Sequence, residues 1–425
     1  MKTIRDVAFI CLFFLLSPIT FLEAQANLPQ WLESTRVHAH TRMRWSAGSG
    51  PTRPEFVNLA DNFNALGVKV FTQHVKSNPP EGATWCSTVG KIEPAIDVTC
   101  NTANPTDLPR GMIDRAQNNG QEVFLYYKHY FDDFWRDANS SWISVDALGV
   151  PIQASPSNAD PDDYYLSVNS PFRDVLITRI EELVAKGAGG IYFDFNHSPF
   201  NGCWSPDSQS EYLIWSNGTP MPLVTDYLND PEMPNIVNFN NYAVEQHFTE
   251  ITDAMHLVDP DAIALVSVSL LPGLIFDRLS TKLAAIADVP KTEYSLPIRR
   301  NVNRHFIASG ALSNYFIPDD LRLAVGWDVV RGASKHKLHH SWFFTDELVE
   351  EAPDRVKALV GSAYTHNFIL NLDHIEASIP DQNLYDNVYV MDQVIGPEFV
   401  EKRPVQWTAI LFSEHARNLR VQDYL

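Results

Sequence analysis

Short apolar runs of strand length alternate with segments of helical periodicity along most of the chain, and this rhythm leaves few folds open. The strand-like runs are Arg36 to Thr41, Val68 to His74, Glu122 to Tyr127, Gly190 to Phe195, Ala262 to Val268, Lys291 to Ser295, Leu321 to Trp327 and Asn367 to Leu372. Between the first two, Phe56, Leu59, Phe63 and Leu66 recur at helical spacing and end at Gly67, a helix-terminating residue. Ser170 and Pro171 predict another helix start, with an N-cap and a proline in the first turn, running through Val175, Ile177, Ile180 and Leu183 to Gly187. Strand, crossover helix and next strand in this order imply parallel pairing. Eight such units over roughly 350 residues predict an α/β fold, a (β/α)8 TIM barrel. A doubly wound open sheet is the structural alternative, but no glycine-rich phosphate turn follows the first strand.

The chain of 425 residues, 45% of them hydrophobic, suits one barrel-sized core better than many small modules. Its first 26 residues stand apart: Lys2 and Arg5 precede an apolar run from Val7 to Leu22, which ends in Ala24-Gln25-Ala26. This is the pattern of a secretory signal peptide, so the mature protein is expected to be secreted or periplasmic. An uncleaved membrane anchor is the alternative, opposed by Pro18 within the run. No later stretch reaches the roughly 20 apolar residues of a membrane span. Residues 27–396 are assigned to the barrel. Pro397 to Pro404 reads as a linker, and Val405 to Ser413 as a strand that docks on the barrel or begins a further C-terminal domain.

A formal net charge of -20 argues against nucleic acid as a partner, because phosphate binders concentrate Lys and Arg. Beyond the signal peptide three cysteines remain, without zinc-like spacing; Cys86 and Cys100 flank one loop and can pair in an oxidising compartment, leaving Cys203 over. Asn139-Ser140-Ser141 and Asn217-Gly218-Thr219 are glycosylation acceptors in a host that glycosylates.

In a barrel, reactive groups gather where strands end. The predicted ends carry His38, His40 and Arg42; His74 and Lys76; Tyr127, Lys128 and His129; Asp194, Asn196 and His197; Glu293; Trp327 and Asp328; and Asn371, Asp373 and His374. Polar groups sharing a concave mouth with aromatic rings suit a sugar, and Trp45, Trp204, Trp327 and Trp342 are candidate rings. For each of these, packing within the fold is the plainer role.

The stretch GGIYFDFNH, residues 189–197, sets Asp194 at the end of an otherwise apolar strand. A carboxylate there is costly unless paired, hydrogen-bonded or used. Glycoside cleavage needs two carboxyls, and Asp194 with Glu293 is the candidate catalytic pair. His40, His74, Lys76, His129, Asn196, Trp327 and Asp373 are candidates to bind sugar. A structural carboxylate paired with Lys128 or His129 is the competing reading for Asp194. For Glu293 it is a bridge to Arg299 or Arg300, with Asp328 and Asp373 in reserve as the acid. Asp137 to Leu166, with Pro151, Pro156 and Pro161, reads as a long loop on the catalytic face, and Lys335 to His340 as a solvated loop.

The run SVNSPFRDVLITRIEELVAKGAGGIYFDFNH, residues 167–197, resembles the fourth-strand region of α-L-fucosidase-like and related glycoside hydrolase barrels. The resemblance implies a glycosidase with Asp194 as nucleophile. VKVFTQHVKS (68–77) is similar to the second-strand segment of that family, with His74 as its substrate-binding histidine. EVFLYYKHYFDDFW (122–135) resembles the third strand and TEYSLP (292–297) the end of the sixth. VQWTAILFSEHARNLR (405–420) resembles the start of the trimerisation-type domain that follows the barrel in some β-galactosidases, so a homo-oligomer fits the reading. The second strand departs from the family's His-His-Asp-Gly-Phe run, since Val75 and Lys76 follow a single His74.

The expected function is a glycosidase that removes a terminal sugar from an oligo- or polysaccharide with retention, without a cofactor, since two carboxyls suffice. A catalytically inactive sugar-binding barrel is the first alternative. A metal-dependent amidohydrolase is the second, because His38-Ala39-His40 has i, i+2 spacing on a strand and directs both rings to one face. Such a site also needs histidines after the fifth and sixth strands, and LVSVSLLPG and TEYSLP hold none.

Overall fold

The computed structural model describes residues 28–41, 53–76, 83–89, 100, 103, 105–153, 164–194, 202–226, 229–268, 281–293, 338–344, 360–361, 363–364, 368–374 and 388–394. The expected signal peptide and the C-terminal segment 397–425 lie outside them, as do Asn196, His197 and the run 321–328. Among the described residues no helix is long and apolar enough to cross a membrane.

Eight parallel strands close into a barrel in sequence order: β1 Val37–Thr41, β2 Val70–Lys76, β3 Glu122–Lys128, β4 Gly190–Asp194, β5 Ile263–Ser267, β6 Val289–Glu293, β7 His339–Phe344 and β8 Phe368–His374. The expected fold is therefore the observed one. Strand period two divides the core into shells. Val70, Phe124, Tyr126, Tyr192, Leu265, Val289 and Ile369 form a lumenal cluster, joined by Leu28 and Leu32. Leu32 belongs to the short helix Gln30–Ser34 just before β1, whose neighbour Trp31 meets Phe124 edge-on at 5.9 Å. The alternate residues, such as Phe71, Leu125, Ile191 and Val266, join the larger cluster shared with the helices.

The helices Arg53–Ala65 and Phe172–Val184 stand where the apolar spacing predicts them. The second starts at Phe172 without a side-chain cap, because the Ser170 hydroxyl donates to the Ser167 carbonyl at 2.7 Å. Gly190 is required by proximity: a Cβ there would sit 2.4 Å from the Ile263 carbonyl oxygen and 2.6 Å from the Phe124 ring.

The seventh strand is a correction. The expected run Leu321 to Trp327 lies outside the described residues, and His339–Phe344 closes the barrel between β6 and β8. The Lys335 to His340 run is thus not a solvated loop throughout, since Leu338, His339 and His340 are buried. Polar residues that face a lumen break the apolar pattern by which a buried strand is recognised. β6 also begins two residues before the expected Lys291.

The Asp137–Leu166 segment is more ordered than a plain loop. It holds a 3-10 turn at Ser140–Trp142 and antiparallel bridges between Ile143 and Leu166 and between Val145 and Pro151. Cys86 and Cys100 are joined in a disulfide, and Cys203 is free and buried.

Candidate active site

Asp194, the last residue of β4, pairs in register with Lys128 of β3 and follows Tyr192 on the lumenal face. Its Oδ2 accepts a 2.5 Å hydrogen bond from the Tyr126 hydroxyl. Its Oδ1 lies 3.9 Å from Nζ of Lys291, which is wholly buried while the Asp194 side chain keeps 14% of its surface open. The Lys291 ammonium stands 4.9 Å above the Tyr192 ring and 3.5 Å from the Ser267 hydroxyl. A phenol and an ammonium both stabilise negative charge on the carboxylate. Neither Tyr126 nor Lys291 is among the partners expected from sequence, and the ring of one that was, His129, meets His247 instead.

Histidines pack against the phenol that holds this carboxylate. His74 stacks on Tyr126 with centroids 3.7 Å apart and planes 8° from parallel. Nε2 of His74 is 3.0 Å from Nε2 of His40, so one ring donates and the other accepts. The Asn371 amide donates to Nδ1 of His40 at 3.4 Å, and the His40 ring meets Tyr126 and Tyr192 edge-on. One layer deeper, His38 and His340 face each other with centroids 5.9 Å apart, and among the described residues no hydrogen bond of normal geometry reaches their ring nitrogens. Burial, with the Arg36 charge beside it, pushes His38 down to about 3; burial also holds His340 well below the ordinary histidine range. Both rings are therefore neutral. Among the described residues no three potential ligands converge on a point that a metal ion would occupy.

Asp194, His40 and His74 therefore come together as expected, while two candidates are placed elsewhere. Lys76 has lumenal parity, but the register shifts between His74 and Lys76, pairing Lys76 with Tyr127. That bulge turns its side chain to the outer shell, where Nζ reaches the carbonyls of Phe131 and Lys128 and lies 5.3 Å from the Tyr127 ring centre. His129 follows Tyr127 at outward parity and packs against the helix Met233–Val258, its Nε2 2.9 Å from that of His247 and its ring stacked on Phe248. Neither side chain joins the Asp194 group.

Glu293 ends β6 and Asp373 lies in β8, in register with His40. Their side chains lie outside the described residues, as does that of Trp342; Asn196, Trp327, Trp45 and Asp328 lie outside them altogether. Trp204 has a packing role, buried among Tyr212, Val224 and Ile236 with its indole N–H donating to the Pro222 carbonyl at 3.0 Å. Sequence reasoning missed Tyr126, Tyr192, Lys291 and His340. For the first three the signal was present: Tyr126, Tyr192 and Lys291 each lie two residues before a strand-end polar group, Lys128, Asp194 and Glu293, and so share its face, whereas His340 sits in the strand that the sequence did not reveal.

The buried pair His129–His247 sets an acid limit on the fold. Burial lowers both, first by desolvation, with His247 at about 3 and His129 well below the ordinary value. Unfolded, each titrates near 6.5. The full stability is present above that value and is lost as pH falls from about 6.5 towards 3, because only the unfolded chain takes up these protons. Urea midpoints are expected to fall steeply between pH 7 and 4. His247→Phe should flatten that slope; an unchanged slope would remove the pair as its cause.

No protein-family model matches the chain, and no curated protein matches it in sequence. Solved structures share the fold. α-L-fucosidase isoenzyme 2 from Paenibacillus thiaminolyticus superposes with a TM-score of 0.59 at 15% identity, over 86% of this chain and 50% of that one. The β-galactosidase from Rahnella sp. R3 gives 0.61 at 13% identity, over 91% and 60%. The β-galactosidase from the psychrophilic Marinomonas ef1 gives 0.60 at 12%, over 91% and 65%. The chain thus spans about half to two thirds of their length, and at such identities the likeness establishes the barrel architecture.

Proposed function

We propose that this chain is a glycoside hydrolase that removes a terminal sugar, with Asp194 as nucleophile and Glu293 as acid/base. The observation that carries the reading is the setting of Asp194. It is the partly open carboxylate at the C-terminal end of a barrel strand, held by Tyr126 and Lys291 amid a histidine-rich lumen. The comparisons support the same reading, because the solved barrels of this fold named above are an α-L-fucosidase and β-galactosidases.

In this reading the nucleophile is ionised and fixed in direction before substrate arrives. Asp194 attacks the anomeric carbon while Glu293, two strands away at the end of β6, gives its proton to the departing oxygen. Glu293 then takes a proton from the water that releases the sugar, and retention follows. His40 and His74 are assigned to sugar hydroxyls, with Tyr126 as a positioning residue. The long loop after β3 and the Asp373 end of β8 complete the mouth, and the expected export places the enzyme where it meets extracellular oligo- or polysaccharide.

Nitrophenyl glycosides, fucoside and galactoside first, test this directly, since release identifies the sugar. Release from none of them would favour the inactive sugar-binding barrel. Tyr126→Phe removes one hydrogen bond to a charged acceptor. It is expected to lower kcat by about 10- to 100-fold with KM little changed, and an unaltered kcat would show that Tyr126 does not position the nucleophile.

A further inference from the structure

The excursion between β4 and β5 carries chemistry that the barrel mouth does not use. Helix Pro206–Trp215 ends in a tight turn, where the Asn217 N–H donates to the Ile214 carbonyl at 3.1 Å and the Gly218 N–H to the Leu213 carbonyl at 2.8 Å. Asn217 holds φ 56 and Gly218 φ 94, so the turn lifts the asparagine clear of the helix. Asn217, Gly218 and Thr219 are all exposed. The Ser216 hydroxyl donates to the Thr219 carbonyl at 2.5 Å, fixing the turn. Among the described residues no hydrogen bond engages the Asn217 carboxamide.

Beside the turn is a cavity of about 410 Å³ lined by Trp215, Tyr212, Thr219, Pro220, Pro222 and Asn235, among others. Trp215 stands two residues before Asn217 and is half-buried. Leu213, Ile214 and Leu223, close by in sequence, expose 43%, 71% and 65% of their surface.

We propose that Asn217 is an N-glycosylation acceptor and that its first sugar packs against Trp215 in this cavity. The sugar's C–H face covers the indole while its hydroxyls meet the polar rim. The donor is a lipid-linked oligosaccharide diphosphate. The bond between its anomeric carbon and phosphate oxygen breaks, a carbon–nitrogen bond to Nδ2 of Asn217 forms, and the lipid diphosphate leaves with the electron pair as the amide gives up a proton. Asn139 is the internal contrast, because its carbonyl accepts from Trp142 and the residues after it are wound into a 3-10 turn.

Secretion of the full chain from a glycosylating eukaryotic host, with peptide mass spectrometry after enzymatic glycan release, tests the acceptor. Asn217 is expected to be occupied to a greater extent than Asn139, and unoccupied in Thr219→Ala. An unmodified Asn217, or one occupied less than Asn139, overturns the assignment. Trimming the glycan to its first sugar and then removing that sugar tests the packing: the last step should lower Tm by about 1–2 °C in the parent and leave Trp215→Ala unchanged. An equal loss in both, or no loss in the parent, overturns the contact with Trp215.

Discussion

Asp194→Asn is expected to lower kcat by roughly 10³-fold or more, at least about 4 kcal/mol of transition-state stabilisation, while sugar binding persists. The substitution keeps the shape of the side chain and one acceptor for the Tyr126 hydroxyl, but it removes the charge that attacks the anomeric carbon. An added small anion such as azide can take the place of the lost carboxylate and should restore part of the turnover with the anomeric configuration inverted. A variant that turns over like the parent would end the proposal that Asp194 is the nucleophile. Loss of binding together with turnover would point instead to a sugar-binding role.

The second large effect concerns the shell that supports the mouth. Arg179 on helix Phe172–Val184 is wholly buried and gives a 2.6 Å ion pair to Asp132, itself 3% exposed, in the segment after β3. The other Asp132 oxygen accepts the Trp135 N–H and caps helix Asp133–Ala138. Removing one member of such a pair leaves a buried charge without its counterpart. Arg179→Met is therefore expected to cost about 3–5 kcal/mol, read as a lowered urea midpoint with unchanged m-value. Adding Asp132→Asn, which neutralises the orphan yet keeps the cap, should recover part of the loss. A cost below about 1 kcal/mol, or a double variant no better than the single, would show that the pair is not what holds this segment.

Much of the barrel was legible in the chain. Seven of the eight strand assignments lie on or overlap observed strands, because apolar runs bounded by helical periodicity are local signals. The strand at His339–Phe344 escaped because it opens on two adjacent histidines, His340 turned to the lumen and His339 packed on Phe368 in the outer shell, and so reads as a polar loop. Asp194, His40 and His74 were singled out from strand-end position, and Asp194 and His74 also from the family resemblance; the structure brings them to one end of the lumen. His129 was assigned to the mouth against its own parity with Tyr127, and period two already put it on the outer face. For Lys76 parity misleads, since one bulge between β2 and β3 reverses the side it faces.

The amino-acid order by itself determined seven of the eight extended segments, the helices over 53–65 and 172–184, and that a carboxylate stands at the end of the fourth strand. These depend on neighbours within a few residues, through backbone preference and the spacing of apolar side chains. Only the closed sheet decided that Tyr126 and Lys291, from strands on either side of β4, meet Asp194, and that His129 meets His247 instead. Such contacts follow from strand register and barrel closure, which join residues roughly a hundred positions apart and leave no mark in any local stretch.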